Sequence, residues 1–188
     1  MTVTANGRGR RDEIVVVASR LLRKRGLELQ LQDIADELGI TSNALYYHFR
    51  NREDLLLQCF LRAGERVDEA LAVADEQPTG LERVMTFLET WLGFAFDEAM
   101  PPVQYSASLN AESQQALNRP GARRIVRLRD MIEKGRVDGT IAAECDALVT
   151  SAQIFHTLYW WPDYLHGERS HRQIADAIFA NIRRSLAA

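Results

Sequence analysis

The segment from Thr41 to Arg52 carries side chains that could bind a nucleic acid. It contains hydroxyls, amides, two phenols, an imidazole and two arginines, and it has no carboxylate. These groups can hydrogen-bond to base edges and phosphates, and none of them repels DNA. The helix that begins after Asn51 offers N-terminal amides that, together with Arg52, could bind phosphate. A structural helical hairpin with a polar outer face would fit the same pattern, so the segment alone leaves the two interpretations even.

Charge is distributed unevenly along the 188 residues, whose net charge is −3. Residues 8–25 hold seven basic and two acidic side chains, and residues 1–50 hold eight and six, which sum to +2. The remainder therefore carries −5. A basic N-terminal quarter on an acidic body is expected when one end of a protein meets phosphate. A basic tail next to a solvated helix face would give the same charges.

The rest of the chain offers no recognisable catalytic chemistry. Its histidines, at positions 156, 166 and 171, belong to no metalloprotease, hydrolase or phosphate-loop motif. His166 and His171 with Glu168 could suggest a metal site, but a surface loop is the better interpretation. Cys59 and Cys145 are expected to be small buried residues. We therefore expect no catalytic residue, no metal and no cofactor, and an enzyme is the weaker functional class.

Composition limits the class of protein further. Hydrophobic residues make up 46% of the chain and charged residues 26%, which argues against disorder. No stretch of 18 apolar residues predicts a membrane span. The first 13 residues are polar and arginine-rich, without the apolar segment of a signal peptide. Two cysteines cannot build a disulfide framework, so a cytoplasmic protein is expected.

Prolines and glycines divide the chain into helical segments, which predicts an all-α protein of about nine helices. All five prolines lie beyond residue 77, and most glycines fall between segments with the apolar spacing of a helix. No segment shows sustained alternation of apolar and polar residues, so no strand is predicted. Helices are predicted near residues 10–25, 31–38, 42–48, 52–74, 80–98, 103–118, 121–134, 145–161 and 169–186.

The first three predicted helices have the pattern of a helix-turn-helix. The second helix places Leu31, Ile34, Ala35 and Leu38 on one side, and small Ala35 permits a close approach to the next helix. Gly39 permits the left-handed turn that a tight crossing requires. Thr41 can then cap the third helix, which would be free to enter a major groove.

The order of residues in this segment resembles the DNA-binding domain of the TetR family of transcriptional regulators. The matching residues are 34–49, with the hallmark Leu45-Tyr46-Tyr47-His48-Phe49, and then Asn51-Arg52-Glu53-Asp54-Leu55. The resemblance implies a DNA-binding domain over residues 1–52 and a helical ligand-binding and dimerisation domain over 53–188. One departure is Gln30, where the family commonly has a hydroxyl residue. Gln30 or Gln32 would replace that capping and phosphate-touching group in part.

The resemblance implies DNA-contacting roles for particular residues. Thr41, Ser42, Asn43 and Tyr47 would face bases or sugars. Tyr46, His48 and Arg52 would hold phosphates, and Arg10 or Arg11 would touch the backbone beside the first helix.

Aromatic and methionine side chains at helical spacing suggest either an ordinary core or an adaptable apolar pocket in the body. The resemblance favours a pocket for a small, largely apolar effector, with His156 and Tyr159 as its polar contacts. The apolar pocket residues would be Met85, Leu88, Trp91, Met131 and Phe155.

Wide apolar faces on the last two predicted helices, 145–161 and 169–186, indicate dimerisation. As the resemblance implies, two copies would form a four-helix interface. Twofold symmetry would place two recognition helices on successive major-groove faces of a near-palindromic operator. The expected function is that of a homodimeric repressor released from DNA by its effector. Two alternatives remain: an enzyme or ligand carrier with an unused helix-turn-helix, and a sequence-tolerant, nucleoid-type DNA binder.

Overall fold

The predicted all-α class is confirmed by the structure. The computed structural model describes residues 5–98, 100–164 and 170–187, and it describes their side chains except at 5–8, 96, 97, 159–164 and 171. These residues form eight α-helices and two short 3-10 turns, with no strand among them. Within this part of the chain, no helix has the length and apolar character needed to cross a membrane.

The helices follow the predicted order along the chain. The two 3-10 turns span Gly26–Glu28 and Val103–Ser108. The α-helices are α1 Ala5–Arg25, α2 Leu31–Leu38, α3 Ser42–His48, α4 Arg52–Asp75, α5 Gly80–Asp97, α6 Ala111–Asp138, α7 Ala147–Tyr164 and α8 His171–Leu186. The bounds of α2 and α3 are those that the sequence predicts.

Helix α6 corrects the prediction of separate helices at 103–118 and 121–134. It begins at Ala111 and continues through Pro120, where the sequence predicts a break. An internal proline removes one helical hydrogen bond and usually costs about 3 kcal/mol. Leu117 before the proline is half-buried and packs against the N-terminal core, and Leu128 and Ile132 after it are fully buried. We attribute the uninterrupted helix to this packing on both sides.

The chain folds into two compact units. The N-terminal unit contains the described residues up to Ala63 together with Asp97–Leu117, and the C-terminal unit contains Gly64–Phe96 and the described residues from Asn118 onward. Helices α4 and α6 each supply residues to both units. The functional boundary expected between residues 52 and 53 stays a prediction.

One apolar cluster in the N-terminal unit anchors α2 and α3. Ile34 and Ala35 of α2, Leu45 of α3, and Phe49 just after α3 are all buried in it. The absence of a side chain beyond Cβ at Ala35 lets α2 lie close to its neighbours. The cluster also includes Leu109, so the segment between α5 and α6 contributes to the core of this unit.

Local signals define the turn between α2 and α3. Gly39 adopts a left-handed conformation with φ of 63° and ends α2. The N–H of Ile40 donates a hydrogen bond to the Ala35 carbonyl at 3.0 Å, as is typical of such an end. Thr41 Oγ1 accepts a hydrogen bond from the Ala44 N–H at 3.3 Å and caps α3. The predicted helix-turn-helix is therefore present.

In the C-terminal unit, the start of α5 lies against the end of α6. A Cβ atom on Gly80 would lie 2.0 Å from the backbone nitrogen of Gly135, so a larger residue does not fit. The Gly80 N–H donates to Asp138 Oδ2 at 2.8 Å, and the Leu81 N–H donates to Thr140 Oγ1 at 3.2 Å. These bonds satisfy two of the amides that a helix N-terminus leaves without intrahelical partners.

Gly80→Ala is expected to lower the free energy of unfolding by roughly 2–3 kcal/mol, because the new methyl group overlaps the α6 backbone. Gly93→Ala, in the same helix, is the matched control, since nothing lies within 4 Å of its Cβ position. The control should gain roughly 0.5–1 kcal/mol, because glycine disfavours helix. Urea unfolding measures both values, and equal stabilities of the two variants would contradict the close contact.

Candidate nucleic-acid interface

Helix α3 presents two tyrosines to solvent while its other face is anchored in the core. Leu45 and Phe49 are buried, whereas the Tyr46 and Tyr47 residues are 54% and 88% exposed. Such exposure is unusual for large aromatic rings, which gain free energy when they leave water. The anchored face fixes the direction in which the two phenols point. This geometry suits a helix whose outer face contacts a ligand with hydrogen-bonding edges.

A polar network joins the beginning of α3 to α2. Ser42 Oγ donates a hydrogen bond to Gln32 Oε1 at 2.5 Å, and Gln32 Nε2 donates to Asp36 Oδ1 at 2.6 Å. The predicted contact residues Ser42 and Gln32 therefore lie together and fix the relation of the two helices. Thr41 and Asn43 flank Ser42 and are exposed. This end of α3 is thus oriented by bonds within the protein.

His48 is half-buried at the end of α3, between two aromatic neighbours. Its ring lies edge-on to the Tyr47 ring with 5.2 Å between centroids, and it is 6.4 Å from the Phe49 ring. Edge-to-face aromatic contacts of this kind stabilise a ring orientation by about 1 kcal/mol. The contact holds the Tyr47 ring while leaving its outer edge in solvent.

The predicted backbone-contacting arginines have partners within the protein. Arg10 pairs with Glu13 one turn later, and the guanidinium of Arg11 stacks over the Phe49 ring at 5.1 Å. Arg52 donates hydrogen bonds to two backbone carbonyls. By contrast, the Arg50 side chain is 91% exposed, and its Nε lies 3.8 Å from Asp54 Oδ2.

Arg50 is a candidate contact that the sequence analysis missed. It stands directly after α3, in the segment without carboxylates, so its position in the sequence could have indicated it.

Ion pairs fasten α1 to α2. Arg20 Nη2 lies 2.6 Å from Glu37 Oε1, and Arg25 pairs with Asp33. The Asp33 carboxylate also accepts the Gln30 N–H at 2.8 Å. This backbone hydrogen bond, with the Arg25 charge, lowers the pKa of Asp33 below its ordinary value. Asp33 thereby caps the start of α2 by accepting the backbone N–H of the N-cap residue Gln30.

The predicted pocket residues all belong to the C-terminal unit, but they do not share one environment. Leu88, Trp91, Met131 and Phe155 are buried. Met85 is half-buried and His156 is exposed. The side chain of Tyr159 lies outside the described residues. Adjacent positions on a helix point about 100° apart, so buried Phe155 and its neighbour His156 face different directions. His156 instead lies on an open groove of α7.

The other side chains considered for chemistry are the two cysteines and the histidines near the C-terminus. Burial raises the pKa of the Cys59 thiol to about 12, which keeps it protonated and unreactive. Cys145 is half-buried, with Sγ 3.3 Å from Thr150 Oγ1. No group of three metal-ligating side chains occurs among the described residues. His166 and Glu168 lie outside them, as does the side chain of His171.

The N-terminal segment of the chain is similar to the corresponding segment of known regulatory proteins. Residues 14–59 match the family model described as bacterial regulatory proteins of the tetR family. The chain is 41% identical to the HTH-type transcriptional repressor KstR2 of Rhodococcus jostii (strain RHA1) over 54 residues, which are 28% of this chain and 26% of the relative. It is 42% identical to the KstR2 repressor of Mycolicibacterium smegmatis (strain ATCC 700084 / mc(2)155) over 48 residues, 25% of this chain and 23% of the relative. The match thus spans about a quarter of the length of these curated relatives.

Solved structures share the fold over nearly the whole chain. The regulator PfmR of Thermus thermophilus has a TM-score of 0.79 at 24% identity, with 93% of this chain and 99% of that chain covered. AibR in complex with isovaleryl coenzyme A and operator DNA has a TM-score of 0.77 at 21% identity, covering 92% and 97%. KstR2 of Mycobacterium tuberculosis has a TM-score of 0.76 at 18% identity, covering 100% and 97%.

We expect Tyr47→Ala to weaken binding to a duplex selected by the wild-type protein by roughly 1–3 kcal/mol, the loss typical of a base contact. Fluorescence anisotropy with labelled duplex measures the affinity. Val137→Ala is the matched control, because Val137 is also 88% exposed but lies at the end of α6. An affinity that Tyr47→Ala leaves unchanged would exclude this residue from the contacting set.

Proposed function

We propose that this chain, whose residues 14–59 match the family model of tetR-type bacterial regulatory proteins, is a cytoplasmic, homodimeric transcriptional repressor of that family. A small, largely apolar effector would release it from a near-palindromic operator. The observation that carries the proposal is the outer face of α3, on which two exposed tyrosines stand in a segment without carboxylates. Hydroxyl, amide and phenol groups on a helix of this kind can read base edges in a major groove.

The exposed face of α7 supports a homodimer. Leu148 and Val149 are 60% and 49% exposed, and with Ala152 they line an open groove whose other lining residues are Gln153, His156 and Thr157. On a helix that also buries Ile154 and Leu158 on its inner face, such apolar exposure favours an interface between copies. Twofold symmetry would then set two α3 helices ~34–36 Å apart on one side of the duplex.

Buried side chains of the C-terminal unit support an effector site. Trp91, Met131 and Phe155 are large, adaptable or aromatic groups of the sort that line apolar pockets, together with Leu88 and half-buried Met85. AibR, which shares the fold, is known in complex with an acyl coenzyme A and operator DNA. By analogy, we assign these five residues to the proposed pocket, without His156.

Helix α4 is the proposed route between the two functions, since it begins beside the candidate interface and ends in the C-terminal unit. In that unit it is fastened to α6 by two ion pairs. Arg124 donates to both carboxylate oxygens of Asp68, at 3.0 and 2.7 Å, and Arg127 pairs with Asp75 at 2.6 Å. An effector that shifts α6 would therefore act on α4 and bias a two-state equilibrium of the dimer.

Leu148→Glu is expected to weaken dimerisation by roughly a hundredfold or more, because each copy would bury an unpaired carboxylate. Sedimentation equilibrium measures the dissociation constant. Val137→Glu, which adds the same charge at an exposed site outside α7, should leave it unchanged. A Leu148→Glu protein that stays as dimeric as the wild type would contradict the proposed interface.

Effector and operator should each weaken the binding of the other by the same factor, roughly 5–150-fold for a coupling of about 1–3 kcal/mol. Mass spectrometry of the purified protein identifies a co-purifying small molecule. Calorimetric titration of that molecule with and without a selected duplex, and of the duplex with and without the molecule, gives both factors. A molecule that binds the dimer but leaves duplex affinity untouched would overturn the proposed regulation.

A further inference from the structure

We infer that Arg52 is a positioning residue for the DNA-reading helices and not a phosphate ligand. It fixes the connector between α1 and α2, residues 26–30, to the first turn of α4. The inference rests on the proposed DNA-binding function and assigns within it a role that the position of Arg52 in the sequence does not suggest.

Two hydrogen bonds commit the Arg52 guanidinium to the connector. Its Nε donates to the Leu29 carbonyl at 2.9 Å, and its Nη2 donates to the Leu27 carbonyl at 2.7 Å. The guanidinium is planar and rigid, so a group held through two of its nitrogens has a fixed orientation. Turning Arg52 toward a phosphate would break both bonds and leave the two carbonyls without these donors.

The connector has few bonds of its own to fix its path. Residues Gly26–Glu28 form one 3-10 turn, closed by a hydrogen bond of 3.3 Å from the Leu29 N–H to the Gly26 carbonyl. Such short turns have poorer hydrogen-bond geometry than an α-helix. Buried Leu29 anchors one point of the connector in the core, and Arg52 holds the carbonyls on either side of Glu28.

The position of the connector determines where α2 and α3 lie. Gln30, its last residue, is the N-cap of α2, so α2 starts where the connector ends. Two residues later, Gln32 accepts the hydrogen bond of Ser42 at the start of α3. A continuous series of contacts therefore runs from Arg52 through the connector and α2 to α3. A change at the start of α4 would reach α3 by the same contacts.

Arg50 provides the contrast that makes the role testable. It lies two residues before Arg52 and carries the same charge, but its side chain is 91% exposed. Its one close carboxylate contact in the described structure is the 3.8 Å approach to Asp54. Arg50 can therefore turn toward a phosphate freely, whereas Arg52 can turn its guanidinium only by breaking its bonds to the two carbonyls.

The experiment compares Arg52→Gln, Arg52→Lys and Arg50→Gln with the wild type on two DNA probes. One probe is a duplex that the wild-type protein selects from a random-sequence pool, and the other is a random duplex of equal length. Affinities are measured by anisotropy over a range of salt concentrations. Each phosphate contact adds about 0.9 to the slope of log affinity against log salt, so a contact made by both protomers adds about 1.8.

Both Arg52 variants should lose roughly tenfold in affinity for the selected duplex at every salt concentration, with the wild-type slope. Lysine keeps the charge but lacks the planar fork, so Arg52→Lys should not restore affinity. The affinity of Arg52→Lys for the random duplex should stay within about twofold of wild type, because binding to a random sequence depends on charge, which lysine keeps. Arg50→Gln should reduce the slope by about 1.8 and weaken binding to both probes.

Several results would overturn the role of Arg52. A slope lowered by about 1.8 in Arg52→Gln, or wild-type affinity in Arg52→Lys, would make it a phosphate ligand. Equal losses on both probes in Arg52→Lys, accompanied by a smaller folded fraction in circular dichroism, would make it a merely structural residue. A wild-type protein that selects no duplex would overturn the proposed function itself, and this role with it.

Discussion

The candidate interface depends on the anchoring of α3, because a helix of seven residues is too short to be stable alone. Burial of Leu45 and Phe49 supplies most of the anchoring, and burying such a side chain stabilises by about 1.5–3 kcal/mol. The Thr41 cap contributes about 1 kcal/mol more. Since the inner face is fixed in this way, Tyr46 and Tyr47 point outward, and the edge-on contact with His48 adds to the positioning of the Tyr47 ring. The exposed phenols are a consequence of the core beneath them.

Several basic side chains near the N-terminus have partners within the protein, so the charge distribution alone does not show which of them could bind phosphate. The net charge of −3 divides into +2 for residues 1–50 and −5 for the remainder, which favours a nucleic-acid contact at the N-terminal end. Yet Arg20 and Arg25 are paired with carboxylates of α2, and Arg52 is bonded to backbone carbonyls. Arg20 and Arg25 thus hold α1 to α2, and Arg52, just beyond residue 50, holds the connector between these helices. The number of basic residues therefore overstates how many side chains are available for phosphates.

Features with local causes could be predicted from the sequence. The ends of α2 and α3 follow from Gly39 and Thr41, which act on their immediate neighbours, and both helices have the predicted bounds. The continuation of α6 through Pro120 could not be predicted, because it depends on packing of residues on either side of the proline. The partners of Arg52 lie 23 and 25 positions earlier in the chain, so no spacing rule indicates them. The spacing of apolar residues in α7 also did not reveal that Phe155 faces inward while its neighbour His156 is exposed.

The central claim is that the outer face of α3 reads DNA sequence. The most direct measurement is the ratio of affinities for a duplex selected from a random pool and for a random duplex, taken at one physiological salt concentration. A sequence-specific regulator should show a ratio of roughly a thousandfold or more. Equal affinities would indicate a sequence-tolerant DNA binder, and no binding to either duplex would indicate that the helix-turn-helix serves another purpose. Either result would contradict the account.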